Sequence, residues 1–198
     1  MGKGEITRQT ILDRATAVAS QAGLDGLTIG KLAHELELSK SGLFAHFGSK
    51  ESLQVAVLEN AAERFVEVVV KPALRAPRGE PRLRALFDCW SLWPKKSRLP
   101  GGCVFVAAAV ELDDQPGPAR DCLVRQQRDF LGLIATTVRG AIAEGHFRKD
   151  LDVEQFAHDF YAVMLGYHHA YRLLRDPRAG KRAARAFEAL LDAARLPH

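Results

Sequence analysis

Cysteine is scarce in this chain of 198 residues. Its three members, Cys89, Cys103 and Cys122, form no CxxC pair and no Cys/His ladder, which excludes a fully paired disulfide framework and the standard zinc sites and suits a reducing compartment. Long apolar runs are missing as well. No stretch of about 18 consecutive apolar residues occurs, and the opening Met1-Gly2-Lys3-Gly4-Glu5 lacks the apolar core of a secretory signal, so neither a membrane span nor export is expected and the expected location is cytoplasmic. A strong charge of one sign is absent too: the formal net charge is +4. In residues 1–50, Lys3, Arg8, Arg14, Lys31, Lys40 and Lys50 stand against Glu5, Asp13, Asp25, Glu35 and Glu37, so charge alone does not mark a nucleic-acid binder. The larger basic clusters, in 71–84 and 172–185, read as solvated surface. Also missing are the GxSxG, P-loop, HExxH and dinucleotide fingerprints, so no cofactor is expected.

What is present is helical periodicity. With 47% hydrophobic and 26% charged residues the composition is that of a soluble globular protein of one or two domains. Apolar residues recur at three- and four-residue steps, and long alternating β-branched runs do not occur, which predicts an all-α fold of about nine helices. Thr7 can cap a first helix with inner stripe Ile11, Ala15, Val18 and Ala22, stopped by Gly23. Thr28 opens a short second helix to about Glu35, and Ser39 a third ending near Phe47-Gly48. Ser49 caps a fourth running through Val69, with Pro72 just past its end. The stretch 75–82 (RAPRGEPR) separates short helices from longer ones, and the domain boundary is placed near residue 71. Further helices are expected at about 82–97, broken at Pro94 or Pro100, then at 102–113, from Pro118 to Glu144, from Asp152 to about Arg175 and from Pro177 to Arg195.

Two short helices joined by about three residues, over 28–47, suit a helix-turn-helix. Ile29, Leu32, Ala33, Leu36, Leu38 and Leu43 can supply the apolar contacts, leaving Lys40, Ser41, Gly42 and Phe44 near the exposed start of the second helix, the end such a helix offers to base edges. Lys40 is long enough to donate to guanine O6/N7 or to a phosphate, Ser41 can donate or accept, and Gly42 removes bulk where the helix approaches the duplex. Thr28 and Lys50, each at a helix start, can hold phosphates. Phe44, Phe47, His46 and Lys50 also admit plain packing or solvated readings.

Leu27-Thr28, Leu32-Ala33, Ser39-Lys40-Ser41-Gly42-Leu43-Phe44, His46-Phe47 and Lys50-Glu51-Ser52-Leu53 together resemble, from Glu5 to Phe65, the DNA-binding signature of the TetR family of bacterial transcriptional regulators. The resemblance implies an N-terminal three-helix DNA-binding domain over 5–71 and an effector-binding and dimerisation domain over 72–198. It also implies a homodimer through the last two helices and Thr28, Lys40, Ser41, Gly42, Phe44, His46 and Lys50 at positions that touch operator DNA. Phe44 stands where tyrosine is more usual, Glu37 where glycine is common in the turn, and Gly30 where an arginine often helps to read bases.

Beyond residue 71 the resemblance thins. Gly101-Gly102-Cys103-Val104-Phe105, Glu111-Leu112-Asp113-Asp114 and Pro116-Gly117-Pro118 are similar to a pattern in one branch of these regulators. Trp90, Trp93, Phe105, Phe130, Tyr161 and Met164 are candidates to line an effector pocket, with core or dimer packing as the competing reading for each. His158, Asp159, His168 and His169 make no single metal site, because neighbouring histidines on a helix point about 100° apart. The expected function is a ligand-responsive DNA-binding regulator, a repressor by family default, that binds a palindromic operator as a dimer and is released by a small-molecule effector. The competing classes are a small helical thiol or acid/base enzyme, using Cys103 with a histidine or Glu111 with Asp113 and Asp114, and a helical protein-interaction module.

Overall fold

The computed structural model describes residues 3–196, with side chains from residue 8 onward. Among the described residues the regular structure is helical apart from one isolated bridge between Phe147 and Arg195. In chain order the helices are α1 (Lys3–Ala22), α2 (Ile29–Glu35), α3 (Lys40–Phe47), α4 (Lys50–Phe65), α5 (Lys71–Leu74), α6 (Glu80–Ser91), α7 (Trp93–Lys96), α8 (Val104–Leu112), α9 (Pro118–Ala143), α10 (Val153–Arg172) and α11 (Ala179–Ala194). None is long and apolar enough to cross a membrane. Two short turns, α5 and α7, raise the number above the nine anticipated.

The caps explain most of the boundaries. Thr28, Ser39, Ser49 and Asp152 each accept a hydrogen bond from the amide three residues on, at 2.9–3.2 Å, as their residue types foretold. Gly23 and Gly48 close α1 and α3 with φ of +74° and +72°, a conformation that glycine adopts without steric cost. Helix α1 begins at Lys3, ahead of Thr7, so Thr7 is not its start; the Thr7 side chain lies outside the described residues.

Three other boundaries differ from expectation for identifiable reasons. Helix α4 ends at Phe65 and the chain continues as a π-helical turn, Val66–Val70, so Pro72 falls in the first turn of α5 instead of beyond a single helix. A proline ring clashes with the carbonyl four residues earlier in a regular α-helix, and a widened turn just ahead of it relieves that conflict. Helix α6 stops at Ser91, before either proline, and Pro94 sits in the first turn of α7, where its missing N–H costs nothing. The last helix starts at Ala179, two residues after Pro177.

Contacts group the chain into two compact units, Met1–Phe65 with Pro94–Gln126, and Val66–Trp93 with Gln127–His198. In the first, α1 packs on α4, α2 and α8, burying Ile11, Leu12, Ala15, Ala19, Leu53, Val57, Leu58 and Ala108. The expected stripe on α1 is confirmed at Ile11, Ala15 and Val18, whereas Ala22, the last residue of the helix, is exposed. A polar seam joins α1 to α4. Asn60 Nδ2 donates to Thr16 Oγ1 at 3.0 Å, Gln9 Nε2 donates to Asn60 Oδ1 at 2.9 Å, and Arg64 pairs with Asp13 at 2.9 Å.

The second unit packs α10 against α11 and α5 against α6 around aromatic rings. Phe87 stacks on Phe187 with centroids 4.4 Å apart, and Phe160 lies 5.0 Å from Phe187. Arg84 bridges Glu80 and Glu188, joining α6 to α11, and Arg195, just past α11, also pairs with Glu80. The hydrogen bond from Arg195, with Arg84 adding to it, holds the Glu80 carboxyl below the ordinary carboxylate range, and the Arg84 hydrogen bond does the same for Glu188.

Candidate nucleic-acid interface

Helices α2 and α3 are joined by Leu36–Ser39, and Glu37 takes φ of +55° there, so a non-glycine residue does occupy the left-handed turn position. The amides beyond α2 still find partners: Leu38 N donates to Ala33 O at 2.9 Å and Glu37 N to His34 O at 3.3 Å. Leu32, Ala33, Leu43 and Phe47 are buried and fix the pair to the rest of the unit, while Ile29 and Leu36 are half-buried. Leu38 does not join them. It is 36% exposed, because the reversal at Glu37 turns the following residue outward.

That packing leaves the other side of α3 open. Lys40, Ser41, Gly42, Phe44 and Ala45 are all exposed, with Phe44 at 52%, although it sits one residue from fully buried Leu43. Ser39 caps the helix through Gly42 N, and its hydroxyl lies 3.2 Å from Ser41 Oγ. A large ring held out in solvent gains nothing from the core, and this exposure separates Phe44 from Phe47, which is buried beneath Arg8 at 5.3 Å from the ring centroid. His46 is half-buried, its ring 6.2 Å from that of Phe47.

Thr28 and Lys50 flank this helix at the starts of α2 and α4. The Thr28 hydroxyl oxygen accepts from Lys31 N at 3.2 Å and keeps its proton for an external acceptor. Lys50 Nζ donates to Asp25 O at 3.2 Å and lies 3.5 Å from the Asp25 carboxylate. The ammonium thus stands at the α1–α2 turn with donors to spare. Across Gly30, a Cβ would meet Lys40 Cε at 3.2 Å, so the bare glycine lets the Lys40 stem lie over the start of α2. Two contributors escaped the sequence reading. Asp25 holds Lys50 from 25 residues away, and Arg14 pairs with Glu35 at 2.9 Å, tying α1 to the end of α2. Neither pairing has a local sequence signal.

The candidate pocket residues are divided between the two units. In the second unit Trp90 lies edge-on to Phe130 at 4.9 Å and 5.7 Å from Tyr161, whose hydroxyl donates to Gln127 Oε1. Trp93 and Met164 are buried at 2% exposure each. In the first unit Phe105 packs edge-on against Phe65 at 6.2 Å. On α10, Tyr167 donates to Ser91 O at 3.0 Å, and burial, with Tyr171 beside it, pushes its hydroxyl pKa up. Burial, aided by Arg172 and His169, pushes the His168 pKa down, and its Nε2 has no hydrogen-bond partner. Among the described residues no three of His, Cys, Asp or Glu come together as a metal cluster. Two of the three carboxylates considered for acid/base chemistry accept from backbone amides: Glu111 from Leu24 and Asp25, and Asp113 from Asp114.

A capped α3 with an exposed outer face, anchored from behind by Leu43 and Phe47 and flanked by Thr28 and Lys50, defines the class: a helix-turn-helix unit built to present one helix end to a duplex. Residues 11–57 match the family model described as bacterial regulatory proteins, tetR family, and residues 79–187 match that of the tetracyclin repressor-like C-terminal domain. The chain belongs to the TetR family of bacterial regulators. It is 26% identical over 157 residues to the HTH-type transcriptional repressor AcnR of Corynebacterium jeikeium, spanning 79% of this chain and 76% of that one. The AcnR of Corynebacterium glutamicum is 35% identical over 68 residues, 34% of this chain and 36% of the relative. The crystal structure of a TetR transcriptional regulator from Chloroflexus aurantiacus superposes with a TM-score of 0.87 at 26% identity, covering 100% of both chains.

Proposed function

We propose that this protein is a repressor that binds a palindromic operator as a homodimer in the cytoplasm and lets go when a small-molecule effector binds. The observation that carries the reading is the outward face of α3, where Lys40, Ser41, Gly42 and Phe44 are exposed while Leu43 and Phe47 anchor the helix from behind. Lys40 and Ser41 supply donors for base edges or phosphates, Gly42 permits close approach, and the Phe44 ring suits a thymine methyl or sugar. Thr28 and Lys50 hold phosphates on either side, and His46 stands at the end of the same helix.

The functional division we favour follows chain order, with 5–71 reading DNA and 72–198 serving dimerisation and effector binding. Dimerisation through α10 and α11 is supported by their outward small and apolar residues, Ala162, Leu165, Gly166, Ala186, Ala189 and Ala193, which are exposed. The effector reading rests on Trp90 with Phe130 and Tyr161 against it, candidate pocket residues gathered in the second unit. An effector releases the operator only by binding the two states of the protein with different affinity, and a bias of about 1–3 kcal/mol is ordinary coupling.

The test is selection of duplexes from random-sequence DNA, followed by titration of the recovered site against wild type, Lys40→Ala and Phe44→Ala at several salt concentrations. The expected result is a palindrome with half-sites about 34–36 Å apart, bound as a dimer and weakened by both changes. Recovery of sequence-independent binding alone would remove the repressor reading.

A further inference from the structure

The α1–α2 turn, residues 23–28, carries no regular structure, yet it sets the entry to α2 and holds Lys50 through Asp25. Its backbone is gripped from two directions. Gln54 Nε2 on α4 donates to Leu24 O at 3.2 Å. From α8, 87 residues further along the chain, Glu111 Oε2 accepts from Leu24 N at 2.6 Å and from Asp25 N at 3.3 Å. The fit leaves no room for a side chain: a Cβ on Gly23 would lie 1.5 Å from Glu111 Oε1, and Gly23 has φ of +74°. A second strap lies just behind, where Gly101 N donates to Ser20 Oγ at 2.9 Å and a Cβ on Gly101 would lie 1.6 Å from Ser20 O. Segment 97–112 therefore clasps the end of α1 at two points within one compact unit.

We propose that Glu111 is a positioning residue for DNA binding: by fixing the amides of Leu24 and Asp25 it orients Asp25, which presents the Lys50 ammonium, and so sets a phosphate contact from a helix that does not itself reach the duplex. The inference rests on the regulator reading. A carboxylate that accepts two backbone amides holds the turn more firmly than solvent can, because hydrogen bonds to a charged acceptor are the stronger kind. Lys50 spends one donor on Asp25 O and keeps others for a phosphate. Without Glu111 the two amides turn to water, Asp25 loses its fixed place, and Lys50 reverts to a solvated lysine whose ordering must be supplied on binding.

The experiment compares full-length wild type, Glu111→Ala, Glu111→Gln, Lys50→Ala and the double variant Glu111→Ala/Lys50→Ala on a duplex that wild type selects from random-sequence DNA. Glu111→Ala is expected to bind about tenfold more weakly. The slope of log affinity against log salt should fall by about 0.9 for each phosphate that the protein no longer neutralises. Glu111→Gln, whose amide oxygen can accept the same bonds, should rescue most of the affinity. In the Lys50→Ala background, removing Glu111 should cost little more, since the two act on one phosphate. Additive effects, or a Glu111→Ala protein that binds and responds to salt like wild type, would overturn the proposal while leaving the regulator reading intact. If wild type selects no duplex, the reading falls and takes this proposal with it.

Discussion

The two compact units solve the burial problem with different side chains. Phe44, Phe47, Phe65 and Phe105 are the aromatic residues of the first unit, and Phe44 is exposed, so its core is built mainly from leucine, isoleucine, valine and alanine, with Phe47 and Phe65 buried among them and the polar seam of Gln9, Thr16 and Asn60 beside them. The second holds Phe87, Trp90, Trp93, Phe130, Phe147, Phe156, Phe160, Tyr161, Tyr167, Tyr171 and Phe187. Small aliphatic residues let short helices approach closely and fix the angle at which α3 leaves the unit. Large rings bury more area per residue and fill the space between longer helices.

The largest effect expected from this contrast is at Phe187. Replacing it with alanine removes the stacking partner of Phe87 and Phe160 and should destabilise the second unit by about 3–5 kcal/mol in a denaturant titration. If α1 and α3 keep their amide protection while α10 and α11 lose theirs, the units are energetically separable; simultaneous loss would break the distinction. In the first unit the comparable test is polar. Asn60→Ala removes the bonds to Thr16 and Gln9, which keep only their bonds to Leu12 O and to Asp13, and should cost about 1 kcal/mol for each bond lost, read from the same titration.

Acid should act on the second unit first. Glu80 and Glu188 have depressed carboxyl pKa values in the fold, through their arginine hydrogen bonds, so their stabilisation is complete above the ordinary carboxylate pKa and is lost as pH falls through the depressed values. The expected signature is a decline in thermal stability below about pH 4.5 that Glu80→Gln flattens. His168 has the same sign in a higher window: its pKa is lowered by burial, so the unfolded chain takes up the proton first and stability declines as pH drops below about 6.5. His168→Gln should remove that part of the profile. Smallest in stability is Lys40→Ala, which should change unfolding by no more than about 0.5 kcal/mol because the side chain is exposed, while lowering operator affinity and its salt slope. A large loss of stability there would mean that the lysine stem over Gly30 supports the fold instead of reading DNA.

The interface was legible where its causes are local. A hydroxyl followed three residues later by a free amide is a cap wherever it occurs at a helix start, and Thr28, Ser39 and Ser49 all behave so. The same periodicity that buries Leu43 and Phe47 exposes Phe44, and Glu37 takes the left-handed turn that its place between α2 and α3 demands. Leu38 departs from expectation because apolar character alone does not say which way a residue after a reversal points. Phe105 shows the same limit over a longer range: its type and its place on a helix do not say that its ring meets Phe65.

The sequence by itself determined the longer helices, the caps at Thr28, Ser39, Ser49 and Asp152, the exposed face of α3 and the family, since each depends on spacings of three or four residues or on a contiguous block. Only the tertiary structure decided that Asp25 holds Lys50, that Glu111 grips the turn behind them, that α8 joins the unit carrying α1–α4, that Arg84 bridges Glu80 and Glu188, and that Arg195 meets Glu80. Those partners lie 25 to 115 residues apart in the chain. A side chain's type states what it can bond to, whereas packing of the helices chooses which of many equivalent partners it meets.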